Sequence, residues 1–539
     1  MRSARLRLAV AVAGLLCAPV LAHKDDARPG KPPGEKLGRV QFKTSCTPEA
    51  QKQFERALAM LHSFFFPETV KAFSAIPETD PKCAIAYWGI AISQRPNPLV
   101  GPFDAATLKR GLDAIEKGKA IGAKTQRERD WLAALEEFYK DYDQVDQTTR
   151  TKNYEKAMER LAKKYPDDVE AKIFHALALN ETFDQKTLDS LVKAANILEP
   201  LDRKYPDHPG VTHYLIHSYD FPPLAKRGVA AANKYAKVAP SAPHAQHMPS
   251  HIYTMIGMWE ESIAANQRSV ATAREYVVRA NLDGTLAGVP HAYDFMAYAY
   301  LQLGQDSKAE ALIGETAAVK KIIGTRLASM ALAAVPARYA LERQDWQGSA
   351  QLKPLGTGLP AGEAITHFAR AMGAARSGDQ AAAQADIEKL KEQRGALEKA
   401  NQSYWAAQVE IQILAAQAWL AHAQRNRADA LKYMRAAADL EDNTEKHVAM
   451  ENRLYPMREL LADMLLELGL PLAALKEYEL SMRATPNRLR GWYGAAKAAE
   501  AVGDQKKAAG YYGKLTQLTR NADGGRAEIR EAKLKLASR

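Results

Sequence analysis

The sequence predicts an all-α protein built as an α-solenoid, a stack of helical hairpins. Apolar residues recur with helical spacing almost throughout the chain, and the alternation typical of strands is absent. Similar segments also recur at a fixed interval: Gly469 matches Gly503 and Tyr478 matches Tyr512, each 34 residues further on (469 to 503, 478 to 512). Because such a hairpin buries its apolar face only against its neighbours, the repeat predicts one continuous stack.

The first 22 residues have the features of a secretory signal peptide. Arg2, Arg5 and Arg7 precede an apolar run, and the segment ends in small residues, so cleavage is expected after Ala22. A lipid anchor at Cys17 is the weaker alternative, because no small residue directly precedes this cysteine. No later apolar stretch reaches the ~18 residues of a membrane span. The mature protein is therefore expected in the periplasm or the medium, without a membrane span.

Residues 23–45 are predicted to be a flexible N-terminal segment, because their first part is polar and rich in Pro and Gly. His23 would be the first mature residue and is a candidate copper ligand at the N-terminus. Removal of three arginines with the signal peptide changes the formal net charge from +11 to +8 (11 − 3). The remaining basic residues alternate with acidic ones, whereas nucleic-acid binding requires a basic stripe with stacking aromatics. No nucleic-acid partner is expected.

Cys46 and Cys83 are the cysteines that remain after the signal peptide. In an oxidising compartment, two cysteines 37 residues apart (46 to 83) most simply form a disulfide, which would join the N-terminal segment to the first hairpin. A thiolate metal site is the weaker alternative, because neither cysteine belongs to a CxxC or similar chelating pattern. The sequence therefore predicts a Cys46–Cys83 disulfide.

The repeats are predicted to form two halves. Residues 46–344 make up an N-terminal helical half in which the repeat is degenerate and its loops are longer. Residues 345–362 have the Gly and Pro content of a long loop. Residues 363–539 make up a C-terminal half with clearer repeats, so we expect the boundary at that loop.

Five segments resemble a set of exported bacterial tetratricopeptide-repeat proteins whose biochemistry is poorly defined. They are FERALAMLHSFFF, DPKCAIAYWGIAISQRPNP, HYLIHSYD, HAQHMPSHIY and TPNRLRGWYGAAKAA, and the resemblance covers most of the mature chain. It implies a right-handed α-solenoid of degenerate tetratricopeptide-type hairpins, with a concave groove that receives a protein or peptide partner. It implies no particular function, because function is grafted onto a solenoid scaffold.

Seven of the thirteen histidines lie between positions 208 and 291, and four of them are in phase with the repeat. His213 and His247 are 34 residues apart, as are His217 and His251 (213 to 247, 217 to 251). At about 100° per residue, His244 joins His247 and His251 on a face about 60° wide. The apolar residues of the first of these helices lie on another side. We therefore expect the histidines to point away from the core and, as the resemblance implies, into the groove.

This spacing predicts a transition-metal site. Histidines at positions i and i+4 have Cβ atoms ~6 Å apart, and stacked helices bring two such pairs around one ion of Zn, Cu or Fe. The two phased pairs supply the predicted ligands, and three more residues are further ligands or orienting groups. The full predicted set is His213, His217, His244, His247, His251, His291 and Asp294. The alternative is that these side chains line the groove and contact a partner, which would make the chain an interaction scaffold without metal.

Two residues close to the histidines have two interpretations each. Pro249 either bends a helix by crowding the carbonyl of Ala245 or marks the start of a new helix. His62 lies on an apolar helix and is expected in the core rather than in the groove. Only the three-dimensional arrangement distinguishes these interpretations.

The rest of the chain predicts no second site. The repeats near Gly469 carry Glu459 and Asp463 at the positions that histidines take earlier, so we expect them to be structural units. The motifs HExxH, GxSxG, GxGxxG and GxxxxGK[ST] are absent from the sequence, which removes support for hydrolase and nucleotide-dependent functions. Metal binding and metal-dependent catalysis both remain compatible with the histidine pattern.

Overall fold

The computed structural model describes residues 35–538, except for 67, 96, 184–186, 325–327, 357, 445–452 and 524. The predicted signal peptide, Cys17 and His23 lie outside the described residues. From Lys36 onward the described residues belong to one unit.

Helices account for most of the described residues, which confirms the all-α prediction. The first helices are α1 Pro48–His62, α2 Glu68–Ser74, α3 Ile76–Thr79, α4 Ile85–Ser93, α5 Ala105–Ile121, α6 Gln126–Tyr139, α7 Gln147–Lys164, α8 Val169–Glu181 and α9 Asp189–Lys204. The middle helices are α10 Pro209–Tyr219, α11 Val229–Val238, α12 Pro243–His247, α13 Pro249–Met255, α14 Trp259–Arg279, α15 Gly288–Gln302, α16 Asp306–Ala317, α17 Ser329–Glu342 and α18 Trp346–Ala350, with a 3₁₀ turn at Ala225–Gly228. The last helices are α19 Pro360–Ser377, α20 Gln380–Lys399, α21 Ser403–Ala423, α22 Arg427–Asp442, α23 Met457–Glu467, α24 Pro471–Ala484, α25 Leu489–Ala501, α26 Gln505–Leu518 and α27 Ala527–Ala537. Two short strands, β1 Thr285–Leu286 and β2 Ile322–Ile323, pair in parallel.

Polar side chains fix the starts of several N-terminal helices. Asp104, Asp146 and Asp168 each accept a hydrogen bond from the backbone N–H three residues further on. Thr125 does the same at α6, and Glu128 completes a capping box there. Each such cap typically stabilises a helix by about 1 kcal/mol. These helices therefore begin where the local sequence supplies an acceptor.

Consecutive helices pack against each other as hairpins, for example α6 with α7, α19 with α20, and α25 with α26. Each hairpin also packs on the next, as α20 does on α21. At the turns, Gly469 and Gly503 have φ angles of 72° and 84°, a left-handed conformation that strains any residue with a side chain. The stacked-hairpin solenoid predicted from the repeat is thus confirmed. Among the described helices, none is both long enough and apolar enough to cross a bilayer.

The buried apolar side chains form three clusters that follow one another along the chain. They span residues 37–276, 259–335 and 330–532. The clusters overlap in sequence, so the core passes from one group of hairpins to the next. The predicted boundary at 345–362 lies inside the third cluster rather than between two of them.

The predicted loop 345–362 is packed against the following helix. Helix α18 forms within it, and the Ser349 hydroxyl donates to the Ala369 carbonyl at 2.6 Å. Further on, the Arg370 guanidinium donates to the Leu352 carbonyl at 2.9 Å. These contacts with α19 tie the segment to the C-terminal hairpins.

Residues 36–45 also differ from the flexible segment predicted over 23–45. Phe42 is fully buried, and its ring centroid lies 5.9 Å from that of Trp88 and 5.1 Å from that of Trp131. An aromatic side chain in such a pocket holds the extended backbone around it in place. The polar residues on either side of Phe42 concealed this anchor in the sequence.

The last repeats also contact turns in the middle of the chain. The indole N–H of Trp259 donates to the Asn487 carbonyl at 2.8 Å, across 228 residues. The Asp523 amide donates to the Gly304 carbonyl at 3.2 Å. A Cβ atom at Gly257 would lie 2.6 Å from the Asn487 Cβ, so the approach of these two turns requires glycine. The C-terminal hairpins therefore touch more than their neighbours in sequence.

The predicted disulfide between Cys46 and Cys83 is confirmed. It joins the residues before α1 to the residues before α4, and Cys83 is buried. Asp80 lies beside the two sulfurs and accepts a hydrogen bond from the Thr47 amide at 2.8 Å. Because both sulfurs are bonded to each other, this group is not a thiolate metal site.

Replacement of both cysteines by serine is expected to destabilise the N-terminal hairpins by about 4 kcal/mol, the loop-entropy value for a closed loop of this length. Urea unfolding followed by circular dichroism measures this change. In the wild type, alkylation without reductant is expected to label neither cysteine. Labelling of both thiols would contradict the disulfide.

Candidate metal centre

Four helices of the solenoid carry the six clustered histidines. Helix α10 holds His213 and His217, while α12 and α13 hold His244, His247 and His251. Helix α15 brings in His291 from the next repeat.

Pro249 marks a helix start, one of the two interpretations left open by the sequence. Helix α12 ends at His247, and α13 begins at Pro249. Proline is well suited to the first turn of a helix, because the N–H that it lacks would have no partner within the helix there. Met248 between the two helices keeps a helical backbone, with φ −51° and ψ −35°, so the interruption is one residue long.

The histidines lie inside the protein rather than on an open groove. His213 is 0% exposed and His247 is 3% exposed, and His217 and His251 are also buried. His244 and His291 are partly buried. The expectation that these side chains point away from the core was wrong, because it considered each helix with its partner alone. The C-terminal end of α1 and helix α15 cover the face that the angular argument left open.

His213, His217 and His244 form the first triple-histidine cluster. The Nε2 atom of His213 lies 3.0 Å from Nε2 of His217 and 3.2 Å from Nε2 of His244. On the other side of the ring, Nδ1–H of His213 donates to the backbone carbonyl of His62 at 2.6 Å. A carbonyl only accepts, so the proton of the neutral ring is on Nδ1 and the lone pair is on Nε2.

His247, His251 and His291 form the second triple-histidine cluster. The Nε2 atoms of His247 and His251 are 2.9 Å apart. Nδ1–H of His251 donates to the Asp220 carboxylate at 2.8 Å, and Nδ1–H of His247 donates to the Asn266 amide oxygen at 2.6 Å. The Asn266 amide nitrogen donates to the Ser262 carbonyl, which fixes the amide oxygen towards the ring. In their neutral forms both rings therefore direct Nε2 lone pairs at each other.

Two lone pairs at such a distance repel each other unless a cation lies between them. Protonation is an unfavourable way to supply that cation, because burial lowers the pKa of His213, His244 and His247 well below the usual value. Burial and the neighbouring His251 lower the pKa of His291 to about 3. These four rings are therefore neutral at physiological pH, the form in which imidazole binds metals.

A third group, His62 with Glu170 and His208, shows the opposite pattern. Each imidazole donates from Nε2 to one oxygen of the Glu170 carboxylate, both at 2.9 Å. The Tyr214 hydroxyl donates to Nδ1 of His62, and the Val211 amide donates to Nδ1 of His208. Although burial alone would raise it, these two histidines lower the pKa of Glu170 to about 2.

Every ring nitrogen of this third group therefore has a complementary partner without a metal. His62 is fully buried, in agreement with the expectation that it belongs to the core. The group also has an indirect role at the centre, because the backbone carbonyl of His62 orients His213.

The two triple-histidine clusters are adjacent. Ring centroids of His244 and His247 are 6.1 Å apart, and those of His217 and His251 are 6.3 Å apart. Within the second cluster the corresponding distance between His251 and His291 is 6.2 Å. The clusters are therefore no further from each other than rings within one of them, and they form one paired centre.

Two phenylalanines enclose the paired centre. The Phe64 ring centroid lies 4.5 Å from that of His213 and 5.5 Å from that of His244. The Phe295 centroid lies 4.9 Å from that of His247 and 5.2 Å from that of His291. Phe64 has a φ angle of 48°, an uncommon left-handed conformation for an aromatic residue and one that concentrates at functional sites.

Asp294, the seventh predicted site residue, lies outside both clusters. Its carboxylate is held by the guanidinium of Arg338 at 2.9 and 3.2 Å. Asp294 follows His291 by three residues on α15, but its pairing with a fully buried arginine offsets its charge. Asp294 therefore forms an ion pair with Arg338 and does not belong to either group of ligand atoms.

Sequence reasoning missed the groups that orient and enclose the histidines. Asn266 lies on α14 and Asp220 follows α10, and contacts between elements leave no spacing signal in a single sequence. The two phenylalanines do leave a signal: Phe295 follows His291 by four residues on α15, and Phe64 belongs to the run of three phenylalanines after His62. The fold and the site together define an α-solenoid that encloses two adjacent triple-histidine clusters.

No protein-family model and no curated protein matches this chain. Among solved structures, the human IFIT1 dimer with m7Gppp-AAAA is 10% identical, with a TM-score of 0.37 over 82% of this chain and 90% of that chain. A monomeric IFIT1 mutant with Gppp-AAAA is 12% identical, with a TM-score of 0.38 over 88% and 96%. The structure of Naa15/Naa10 bound to HypK-THB gives 12% identity and a TM-score of 0.23 over 91% and 96%. Similarity this low leaves fold and function to be argued from the chain itself.

Proposed function

We propose that this protein binds two transition-metal ions, one in each triple-histidine cluster. The observation that carries the proposal is that three imidazole nitrogens lie within 4.8 Å of one another in each cluster. Three Nε2 pairs among them are closer, at 2.9–3.2 Å: His213–His217, His213–His244 and His247–His251. Each ion would take three imidazole nitrogens, a ligand set that suits Zn, Cu and Fe. The sequence predicted one ion shared by the pairs His213–His217 and His247–His251. We propose two ions instead, because these two pairs belong to separate clusters.

The groups behind the ligands support the same proposal. Three of the rings are oriented through Nδ1, by the His62 carbonyl, the Asn266 amide and the Asp220 carboxylate. Partners of this kind fix the tautomer of a metal-binding histidine and raise its basicity. The hydrogen-bonding pattern thus leaves Nε2 as the ligand atom.

We further propose that the protein acts after export. The disulfide between Cys46 and Cys83 supports an oxidising compartment, and the N-terminal 22 residues have the features of a cleavable signal. The periplasm or the medium would then supply the metal.

Metal analysis tests the proposed function. The protein is prepared without a histidine tag, stripped with chelator and offered Zn, Cu or Fe, and the wild type is expected to retain two equivalents of at least one metal. His217→Ala and His291→Ala are each expected to retain one equivalent, because each removes a ligand from a different cluster. His175→Gln is the matched control: it removes a partly buried histidine that pairs with Glu155 outside both clusters, and it is expected to keep both ions.

Retention of less than about a tenth of an equivalent of every metal by the folded wild type would contradict the proposal. The interaction-scaffold function, with a protein or peptide partner in the groove of the solenoid, would then take its place. Circular dichroism on each variant separates loss of metal from loss of fold.

A further inference from the structure

We infer that the paired centre is a dicopper site that binds dioxygen between two copper ions. The inference rests on the proposed function, and it names the metal and the small molecule that this centre takes. Its evidence is the charge of the ligand set, the adjacency of the two clusters and the apolar enclosure around them.

The ligand set is electrically neutral. All six ligand groups are imidazoles, so they bring no negative charge to the two ions. The Asp220 carboxylate behind His251 contributes one negative charge, while that of Asp294 is offset by Arg338. Two divalent ions would therefore place four positive charges in this buried site, and two monovalent ions only two.

Charge decides between the metals that imidazole binds. The free energy of burying an ion grows with the square of its charge, so a divalent ion costs about four times as much as a monovalent one. Among Zn, Cu and Fe, copper is the metal with a stable monovalent state. Three neutral nitrogens also suit cuprous ion, which tolerates low coordination numbers. The reduced centre is therefore expected to hold two cuprous ions.

The adjacency of the two clusters would bring the two ions close together. Facing rings of the two clusters are separated by 6.1 and 6.3 Å between centroids. Such a spacing is compatible with a two-metal site, in which the ions lie roughly 3.5–4 Å apart. Because each ion has three protein ligands, each retains an open coordination position that a diatomic molecule can bridge.

The surroundings favour a small neutral ligand. The rings of Phe64 and Phe295 cover opposite clusters, and Tyr235 stacks on His213 with centroids 5.2 Å apart. A charged substrate would lose its hydration on entering this aromatic enclosure, whereas dioxygen is apolar and loses almost none. The aromatic enclosure thus suits a small apolar molecule such as dioxygen.

The two copper ions supply both electrons that the binding of dioxygen requires. Each cuprous ion gives up one electron and becomes cupric, and dioxygen accepts both electrons and is held as peroxide between the two ions. No proton and no external reductant takes part, so the reverse reaction returns dioxygen and two cuprous ions. Phe64 and Phe295 would keep out the water that promotes loss of peroxide.

Anaerobic loading with cuprous ion, followed by exposure to dioxygen, tests the inference. The wild type is expected to take up one dioxygen per two copper ions, to develop peroxide-to-copper charge-transfer absorption, and to lose both under argon. The oxygenated form is expected to give no cupric electron paramagnetic resonance signal, because the two bridged spins couple. His291→Ala is expected to hold one copper ion, take up no dioxygen and show an isolated cupric signal after chemical oxidation. His175→Gln is expected to behave as the wild type, because His175 pairs with Glu155 outside both clusters.

The failures of the two proposals are distinguishable. Two bound copper ions without dioxygen uptake, or with irreversible oxidation, would overturn the dioxygen inference and leave metal binding intact. Two bound zinc ions with no affinity for cuprous ion would do the same. Absence of any bound metal would overturn the proposed function itself.

Discussion

Replacement of Arg488 by methionine is expected to destabilise the protein by about 3–5 kcal/mol, the usual effect of leaving buried charges without their partner. The Arg488 side chain is fully buried and pairs with Glu459 at 2.6 Å and with Glu342 at 2.8 Å. It also donates to the Tyr298 hydroxyl at 2.8 Å, which lies on the helix that carries His291. Methionine fills much of the space but leaves two buried carboxylates without a cation.

Urea unfolding of the metal-free protein measures this loss. Arg520→Met is the matched control, because Arg520 makes an exposed ion pair with Glu260 that is worth less than about 1 kcal/mol. Equal stability of the two variants would show that the buried network contributes nothing beyond packing. Loss of the Arg488 contact with Tyr298 is also expected to affect the candidate centre, because Tyr298 and His291 lie on the same helix, α15.

Asp220→Ala is expected to weaken metal binding in the second cluster by about 10–100-fold, as loss of an orienting partner usually does. The Asp220 carboxylate accepts Nδ1–H of His251 at 2.8 Å and so presents Nε2 to the metal. Without that acceptor, the ring can take the other tautomer, which places its proton on the ligand nitrogen. A competition titration against a chelator measures the affinity.

The control for this variant is Asp202→Ala. Asp202 pairs with Lys234 and contacts no clustered histidine in the described structure, so its loss is expected to change metal affinity by less than about twofold. The first cluster provides an internal reference, because its ion should keep wild-type affinity in Asp220→Ala. Unchanged binding of both ions would contradict an orienting role for Asp220.

The sequence predicts the fold well because each repeat is a local pattern. Turn glycines such as Gly469 and Gly503 recur at the same interval as the hairpins they end. The packed position of Phe42 was not predictable in this way, because its pocket is built from residues on α4 and α6. Local periodicity identifies the repeating unit and not the partners that distant units provide.

The sequence predicted which histidines form the candidate site, but not how they are arranged. Repeat phasing identifies His213 with His247 and His217 with His251 as equivalent positions. Equivalence in the repeat does not place two side chains at one ion, and the structure instead pairs His213 with His217 and His247 with His251. Repeat phasing compares equivalent positions and does not give the distances between side chains of neighbouring repeats.

The contacts of Trp259 with Asn487 and of Gly304 with Asp523 also limit the insertion or deletion of hairpins between them. An open solenoid gains or loses a hairpin by duplication or deletion, and each remaining interface survives. Here the hairpins between residues 259 and 487 span two fixed attachment points. Insertion or removal of one unit would move Asn487 away from its turn, and two glycine-dependent contacts would be lost together. A chain with one hairpin more or fewer between residues 304 and 487 is therefore expected to be less stable than this one.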